Sequence, residues 1–408
     1  MSQVTMPTTH AGTDDHARVA ITSAPRSIER PRIAWLNFGW VVVVAAMVLS
    51  IVGIIAIGTT EQGFATRQMV FLPVALLVAA GVACLHHRSA RQVSWICYWL
   101  VIALLVFVLI KGVPQWLVTP RNGARRWISL GLIDVQPSEL AKIAWVLAIA
   151  SWLRFRRNHR HLRGLLVPFL LTLLPIGLIL LEPDLGTAML FIPTLLAMLV
   201  VAGARLKHMM AIVLLGLVVA PLAYPVLRPH QKARIDAMVA QVMGDDRYAD
   251  DIGFQGLRAM TVVGSGGVEG VGVEHAEALV QFNALPEDHN DMIFAVICCR
   301  WGLLGGAMIW MLFMALSLGG LLIASMSRDP FARIVAVGIS TMIFLQMLIN
   351  TGMTIGLFPI TGMTLPLVSY GGSSLVTTWI MIGLLLGIAL RRPRPLTPPS
   401  FEFDEERS

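Results

Sequence analysis

Ten predominantly apolar stretches dominate this chain, near residues 39–57, 69–86, 93–110, 139–153, 164–181, 186–203, 208–227, 291–316, 332–356 and 373–390. A helix needs about 20 such residues to cross the hydrocarbon core of a bilayer. Lipid cannot satisfy open backbone groups, so a spanning stretch of this kind must close its hydrogen bonds within itself. Composition agrees: of 408 residues, 56% are apolar and 13% charged, where soluble domains run about 45–50% and about 25%. So few charges cannot clothe a soluble molecule of this size, which excludes an ordinary soluble enzyme. The fold class expected is an all-α polytopic membrane protein of ten transmembrane helices, with a long outer loop, residues 228–290, between helices seven and eight. Residues 1–38 read as a disordered cytoplasmic tail and not as a cleavable signal peptide. Residues 39–390 read as the membrane domain and 391–408 as a cytoplasmic C-terminal tail.

Ten crossings put both tails on one side. With that side cytoplasmic, most of the 31 Lys and Arg residues fall on tails and alternate loops, as the positive-inside bias demands. The net charge of +7 is therefore mainly topology, and no basic run with interleaved aromatics points to nucleic acid. Cys84, Cys97, Cys298 and Cys299 lie in apolar segments without a CxxC or a His at ligand spacing, so neither a disulfide frame nor a zinc site is expected. One short outer loop breaks the charge rule, with Arg121, Arg125 and Arg126 kept on the translocated side. Acids collect near it: Glu61, Asp134, Glu139, Glu182, Asp184, Glu287, Asp288 and Asp291 all lie at or near outer span ends.

Four constellations could carry chemistry. In Gln136-Pro137-Ser138-Glu139-Leu140-Ala141-Lys142, proline starts a helix and Glu139 and Lys142 stand three apart on one face. The pair is either a local ion bridge at a helix start or a site facing a cavity, since charges at a span's lip are expensive otherwise. In Glu182-Pro183-Asp184-Leu185-Gly186-Thr187, Asp184 is an ordinary turn acid on its own. In Leu285 to Asp291, Asn290 or Asp288 could cap the next helix; alternatively, the crowding of Glu287, Asp288, His289 and Asp291 raises one carboxylate toward a general base. Asp291 is the last acid before apolar sequence. The final outer segment, Phe358 to Leu375, is a rigid non-helical stretch in which Ser369 and Tyr370 can donate to a polar headgroup. The glycine-rich run Gly264 to Gly272 allows close backbone approach to a ligand, and Arg300, inside a span, demands an anion or a cavity.

Taken in order, GARRWISLG, QPSELAK, EPDLGT, the loop from Phe254-Gln255 through GSGG to LPEDHND, and NTGM followed by PITGMTLPLVSYGGSS resemble the SEDS family (shape, elongation, division and sporulation). The resemblance covers roughly residues 39–390. It implies a peptidoglycan glycosyltransferase that polymerises lipid II on the outer face of the bacterial cytoplasmic membrane, beside a class B penicillin-binding transpeptidase and other elongation or division proteins. The family's essential aspartate falls on Asp291, its functional Glu and Lys on Glu139 and Lys142, and its loop arginines on Arg125 and Arg126. Gln136, Ser138, Asp184, Gln255, Glu287, His289, Ser369 and Tyr370 are further substrate-binding candidates. A divalent cation, Mg or Mn, held by nearby carboxylates and Asp291, is a candidate cofactor.

The chain departs from the family pattern at Cys298-Cys299-Arg300, where Gly-Glu-Glu is usual, and at Asn290, where Thr is usual. Pro359-Ile360-Thr361-Gly362 lacks the lysine of the division branch and favours a RodA-like, elongation reading, whereas LEPDLGT and MTLPL lean toward FtsW-like division members. Two other functions compete, a flippase for lipid-linked precursors and a weakly active scaffold for the transpeptidase.

Overall fold

The structure, a computed structural model, describes residues 37–110, 112–121, 124–129, 131, 134–154, 162–226, 229–243 and 254–391. Most of the two tails expected at 1–38 and 391–408 therefore lies outside the described residues, together with Arg156, Arg157 and Arg160. Ten apolar helices follow the expected stretches: α1 (Gly39–Thr60), α2 (Gln62–Cys84), α3 (His87–Leu109), α4 (Pro137–Leu153), α5 (Leu162–Leu181), α6 (Leu185–Val201), α7 (Leu206–Ala223), and, after three short helices, α11 (Ile293–Met326), α12 (Pro330–Thr354) and α13 (Gly372–Leu390). Seven of them, α1, α2, α3, α5, α11, α12 and α13, are long and apolar enough to cross a membrane. The chain is an integral membrane protein. The segment 228–290 is built around α8 (Pro229–Met243), α9 (Phe254–Ser265) and α10 (Gly272–Phe282).

Burial sorts the helices. α2, α3 and α5 present much of their apolar surface outward, as lipid-facing helices do, whereas α4 is buried nearly all round and α12 over most of its length. α12 packs against α4, α6, α11 and α13, and α4 also touches α3, α5 and α6. The buried Glu139 and Lys142 of α4 and the buried Gln346 and Asn350 of α12 thus lie on neighbouring helices.

The structure adds one feature and corrects two expectations. After α3, β1 (Val118–Arg121), β2 (Ala124–Ser129) and β3 (Asp134–Val135) form an antiparallel three-stranded sheet, with Val118 opposite Ile128 and Ser129 opposite Asp134. Val118 and Ile128 are buried together with Val108 of α3, an alternation hidden in sequence by the intervening arginines. The eighth apolar element also runs further than 291–316. At about 1.5 Å per residue its 34 residues would be roughly 50 Å long, more than a bilayer core needs. It bends at Gly302, whose φ of +66° is left-handed, leaving a buried first arm and a second arm that buries one face, with Ile309, Phe313 and Leu316, and exposes the other, with Leu304, Met311 and Leu318. Finally, the glycine-rich run serves this bend and not a ligand. Gly266 and Gly270 lie against the backbone of residues 298–301; Leu303 N donates to the Gly267 carbonyl at 2.9 Å and Val271 N to the Cys299 carbonyl at 3.0 Å.

A side chain at Gly302 would collide with the Val268 carbonyl and with Gly270 N, in a conformation that already disfavours one. Gly302→Ala is expected to destabilise the protein by about 2–4 kcal/mol through strain and overpacking. Gly216→Ala, at an open position on α7, is expected to be neutral or to stabilise by about 0.5–1 kcal/mol. Thermal unfolding of the detergent-solubilised variants checks both; equal midpoints for the two would contradict the packing.

Candidate active site

Pro137 occupies the first turn of α4, where its missing N–H is harmless, and Glu139 sits at the positive end of the helix dipole. One turn on, Lys142 Nζ lies 2.8 Å from Glu139 Oε2 and donates to Gln346 Oε1 of α12 at 3.1 Å. Lys142 is 1% exposed. An ammonium so enclosed requires both partners, because removing it from water costs several kcal/mol unless a counter-ion and hydrogen bonds replace the hydration. The open choice between a helix-start ion bridge and a cavity group resolves into a buried ion pair directed toward α12.

Asp184 caps α6, its Oδ1 accepting from Thr187 N at 3.1 Å. Its other oxygen accepts from Ser138 Oγ at 3.2 Å and from Gln136 Nε2 at 3.4 Å. The first turn of α4 and the α5–α6 turn are thereby joined.

The segment before α11 is a run of turns in which neither Asn290 nor Asp288 caps the helix. Asn290 Nδ2 donates to Glu287 Oε2 at 2.7 Å, and the His289 ring lies 3.0 Å from Asp288 Oδ1 and stacks on Phe64. The stretch between α12 and α13 fastens to it. Ser369 Oγ donates to the Asn290 carbonyl at 2.6 Å, and Tyr370 N donates to the His289 carbonyl at 2.9 Å. Asp291, half-buried, stands beside Gly362: the left-handed φ of +72° keeps that residue bare where a side chain would come within about 3.3 Å of Asp291 Oδ2. Gly186 of α6 packs against Thr361 and Met363, so the two groups of candidates meet across residues 361–364.

Two residues that the sequence reading missed make the connection. Gln346 Nε2 donates to the Thr364 carbonyl at 3.0 Å, and Asn350 Nδ2 donates to the carbonyls of Met363 at 2.6 Å and Asp291 at 2.9 Å. Their i, i+4 spacing on a span that is otherwise apolar was the available signal.

The arginines are separated. As consecutive residues of a strand they face opposite sides: Arg125 Nη2 donates to the Val113 carbonyl at 2.8 Å, while Arg126 Nε donates to the Glu182 carbonyl at 2.7 Å and its Nη2 to that of Pro183. A joint clamp of both guanidiniums on one group is not formed. Arg121 ends β1, opposite Ala124. Gln255, at the half-buried start of α9, donates to the Pro286 carbonyl at 3.4 Å, beside the segment that precedes α11. Arg300 places its donors on neutral groups of α1: it donates to the Ile55 carbonyl at 3.1 Å and to Thr59 Oγ1 at 2.6 Å, with its guanidinium over the Trp301 ring.

Glu182, noted in the sequence but not counted among the site candidates, is 1% exposed, and neither carboxyl oxygen has a hydrogen-bond partner among the described residues. Burial pushes this carboxyl up to about 9, the Asp184 charge adds to the rise, and Arg126 opposes it. Glu182 is therefore neutral at pH 7. Its value exceeds the ordinary 4.5, so the stability it contributes is complete below about pH 4.5 and is lost as pH rises through about 9. Glu182→Gln, which cannot ionise, is expected to lose less melting temperature than the parent between about pH 6 and about pH 9.5. Parallel curves for the two proteins in detergent would exclude Glu182 as the titrating group.

A family model described as a cell cycle protein, for FtsW, RodA and SpoVE, matches residues 31–393. The chain is 34% identical over 330 residues to stage V sporulation protein E of Bacillus subtilis, covering 80% of this chain and 87% of that one. It is 35% identical over 402 residues to a protein of Alkalilimnicola ehrlichii named "Probable peptidoglycan glycosyltransferase FtsW", covering 90% and 94%. Among solved structures it resembles one described as "Structural coordination of polymerization and crosslinking by a peptidoglycan synthase complex", with a TM-score of 0.74 at 30% identity over 87% of this chain and 98% of that one. It also resembles the rod shape determining protein RodA of Thermus thermophilus, with a TM-score of 0.65 at 28% identity over 88% and 99%. The similar chains thus include a sporulation protein, a probable peptidoglycan glycosyltransferase and a rod shape determining protein. With a family match over most of its length, and with the ordered motifs meeting at one face of the bundle, the chain belongs to the FtsW/RodA/SpoVE family of cell cycle proteins, the SEDS family.

Proposed function

We propose that this protein is an inverting peptidoglycan glycosyltransferase that polymerises lipid II, with Asp291 as general base. The observation that carries the reading is the setting of Asp291: a half-buried carboxylate beside a bare glycine, on a backbone pinned from α12 and from the Ser369–Tyr370 segment. Asp291 takes the proton of the acceptor's GlcNAc 4-hydroxyl as that oxygen bonds to the anomeric carbon of the donor's MurNAc. The bond to the diphosphate breaks with its electron pair, and the configuration inverts from α to β. The leaving group needs charge stabilisation more than a proton.

Arg126 is suited to stabilise it, because its partners are two neutral carbonyls and a neutral Glu182, which leave its charge uncompensated. Arg125, on the other face of β2, contributes from its own side. Lys142 and Glu139 neutralise each other and act from behind, through Gln346. Gln136, Ser138 and Asp184 frame the first turn of α4, while Glu287, His289, Ser369 and Tyr370 shape the rim around Asp291. Gln255 would meet substrate at that rim, next to Pro286.

A divalent cation finds no preformed cage. No three His, Cys, Asp or Glu side chains converge for one among the described residues, and Glu287 and Asp288 are engaged with Asn290 and His289. No step is routed through a metal. The reading includes ten crossings, counting α4, α6 and α7 with the seven longer spans. It also includes both termini in the cytoplasm, residence in the bacterial cytoplasmic membrane, and a class B penicillin-binding transpeptidase as partner.

Purified protein given lipid II, with and without a transpeptidase partner, tests the function by the appearance of glycan strands; transfer of lipid II across vesicles without strands would instead indicate a flippase. Asp291→Asn is expected to lower the polymerisation rate by roughly 10²-fold or more, the scale of a lost general base. A stably inserted Asp291→Asn protein that polymerises at the parental rate would overturn the assignment. Arg126→Ala is expected to weaken donor binding roughly tenfold, as loss of a charged hydrogen bond does.

A further inference from the structure

We infer that Gln346 and Asn350 are positioning residues that hold the Asp291 backbone and the Lys142 ammonium in one fixed relation. The inference rests on the reading of Asp291 as general base. The two amides stand one turn apart on the same face of α12, and they grip adjacent carbonyls of the segment before α13, Thr364 and Met363. Each amide has a second contact, on opposite sides of the site: Gln346 accepts from Lys142 Nζ, and Asn350 donates to the Asp291 carbonyl. Glu139, Lys142, Gln346, the 363–364 backbone, Asn350 and Asp291 therefore form one continuous chain of contacts across α4, α12 and two loops.

The polarity of this chain is determined. Lys142 has only donors, so Gln346 must turn its oxygen toward α4 and its N–H₂ toward Thr364. Asn350 faces two carbonyls, so both of its N–H groups are committed, and its Oδ1 is buried with no partner among the described residues. Turning either amide over would set oxygen against oxygen. Asn350 is completely enclosed and Gln346 nearly so; water cannot substitute for either one.

Lipid II polymerisation by the full-length, membrane-inserted protein tests this. Asn350→Leu, similar in bulk but without donors, is expected to lower kcat at least tenfold with KM within threefold of the parent, because a displaced base loses transition-state contact and not substrate binding. Asn350→Asp, which puts oxygen against both carbonyls, is expected to do the same. Thr351→Val is the control: its hydroxyl bonds only within its own helix, to Met347 and Leu348, and its kcat is expected to stay within twofold.

If Asn350→Leu fails to insert, Gln346→Glu gives the same reading, since it retains an acceptor for Lys142 and removes the donor to Thr364. A folded Asn350→Leu protein with parental kcat, or with its loss confined to KM, overturns the positioning role. Asp291→Asn is run in parallel. If it is inactive while Asn350→Leu is fully active, only the positioning role fails; if it is itself fully active, the general-base reading has failed.

Discussion

Everything around the candidate site depends on the problem of keeping an ammonium inside an apolar bundle. Lys142 lies where desolvation costs several kcal/mol, and only a carboxylate and an amide oxygen offset that loss. Glu139 supplies the first from the same helix, and Gln346 supplies the second from α12. The consequence is architectural. α4 and α12 must be neighbours, in register, and enclosed by the other helices, and α12 must then satisfy the remaining end of its amide on the segment that precedes α13.

The connections at this end of the bundle are organised by the same accounting of polar groups. Non-helical backbone at this depth is tolerated only where its carbonyls and N–H groups find partners in protein. Asn350, Ser369 and Gln68 provide them: Gln68 donates to the Ser369 carbonyl at 3.2 Å and accepts from Gly371 N at 3.2 Å. Arg126 does so for the Glu182–Pro183 turn. Where two backbones meet directly, as at Gly302 and Gly270, the sequence places glycine because a Cβ would strike main chain. Arg300, the most conspicuous departure from the family pattern, ties the α11 bend to the end of α1. Its charge is thus explained by structure.

Much of this was legible beforehand. The apolar stretches match seven of the ten helices to within four residues at each end, whereas α2 and α3 begin seven and six residues earlier and α11 ends ten residues later; periodicity and the scarcity of charge are properties of the chain itself. The acids, arginines and amides of the motifs stood out because polar groups beside apolar spans are rare. The bend in α11 was not visible, since Gly302 among other helical glycines carries no distinguishing mark. The sheet at 118–135 was hidden because its alternation is short and interrupted by Pro120 and two arginines. Asn350 stood inside a motif already quoted, yet nothing local shows which carbonyls it reaches.

The sequence by itself determined the class of molecule, its spans and the inventory of ionisable groups at one end of them. These follow from local composition against a solvent with no hydrogen-bonding capacity. Only the tertiary structure decided which of those groups meet. Arg125 and Arg126, adjacent in sequence, diverge because a strand alternates its faces. Lys142 and Gln346, 204 positions apart, come within 3.1 Å because a buried charge must find its partner wherever the fold can bring one. Glu182 is neutral for the same kind of reason: its protonation is set by enclosure, which no reading of its neighbours along the chain contains.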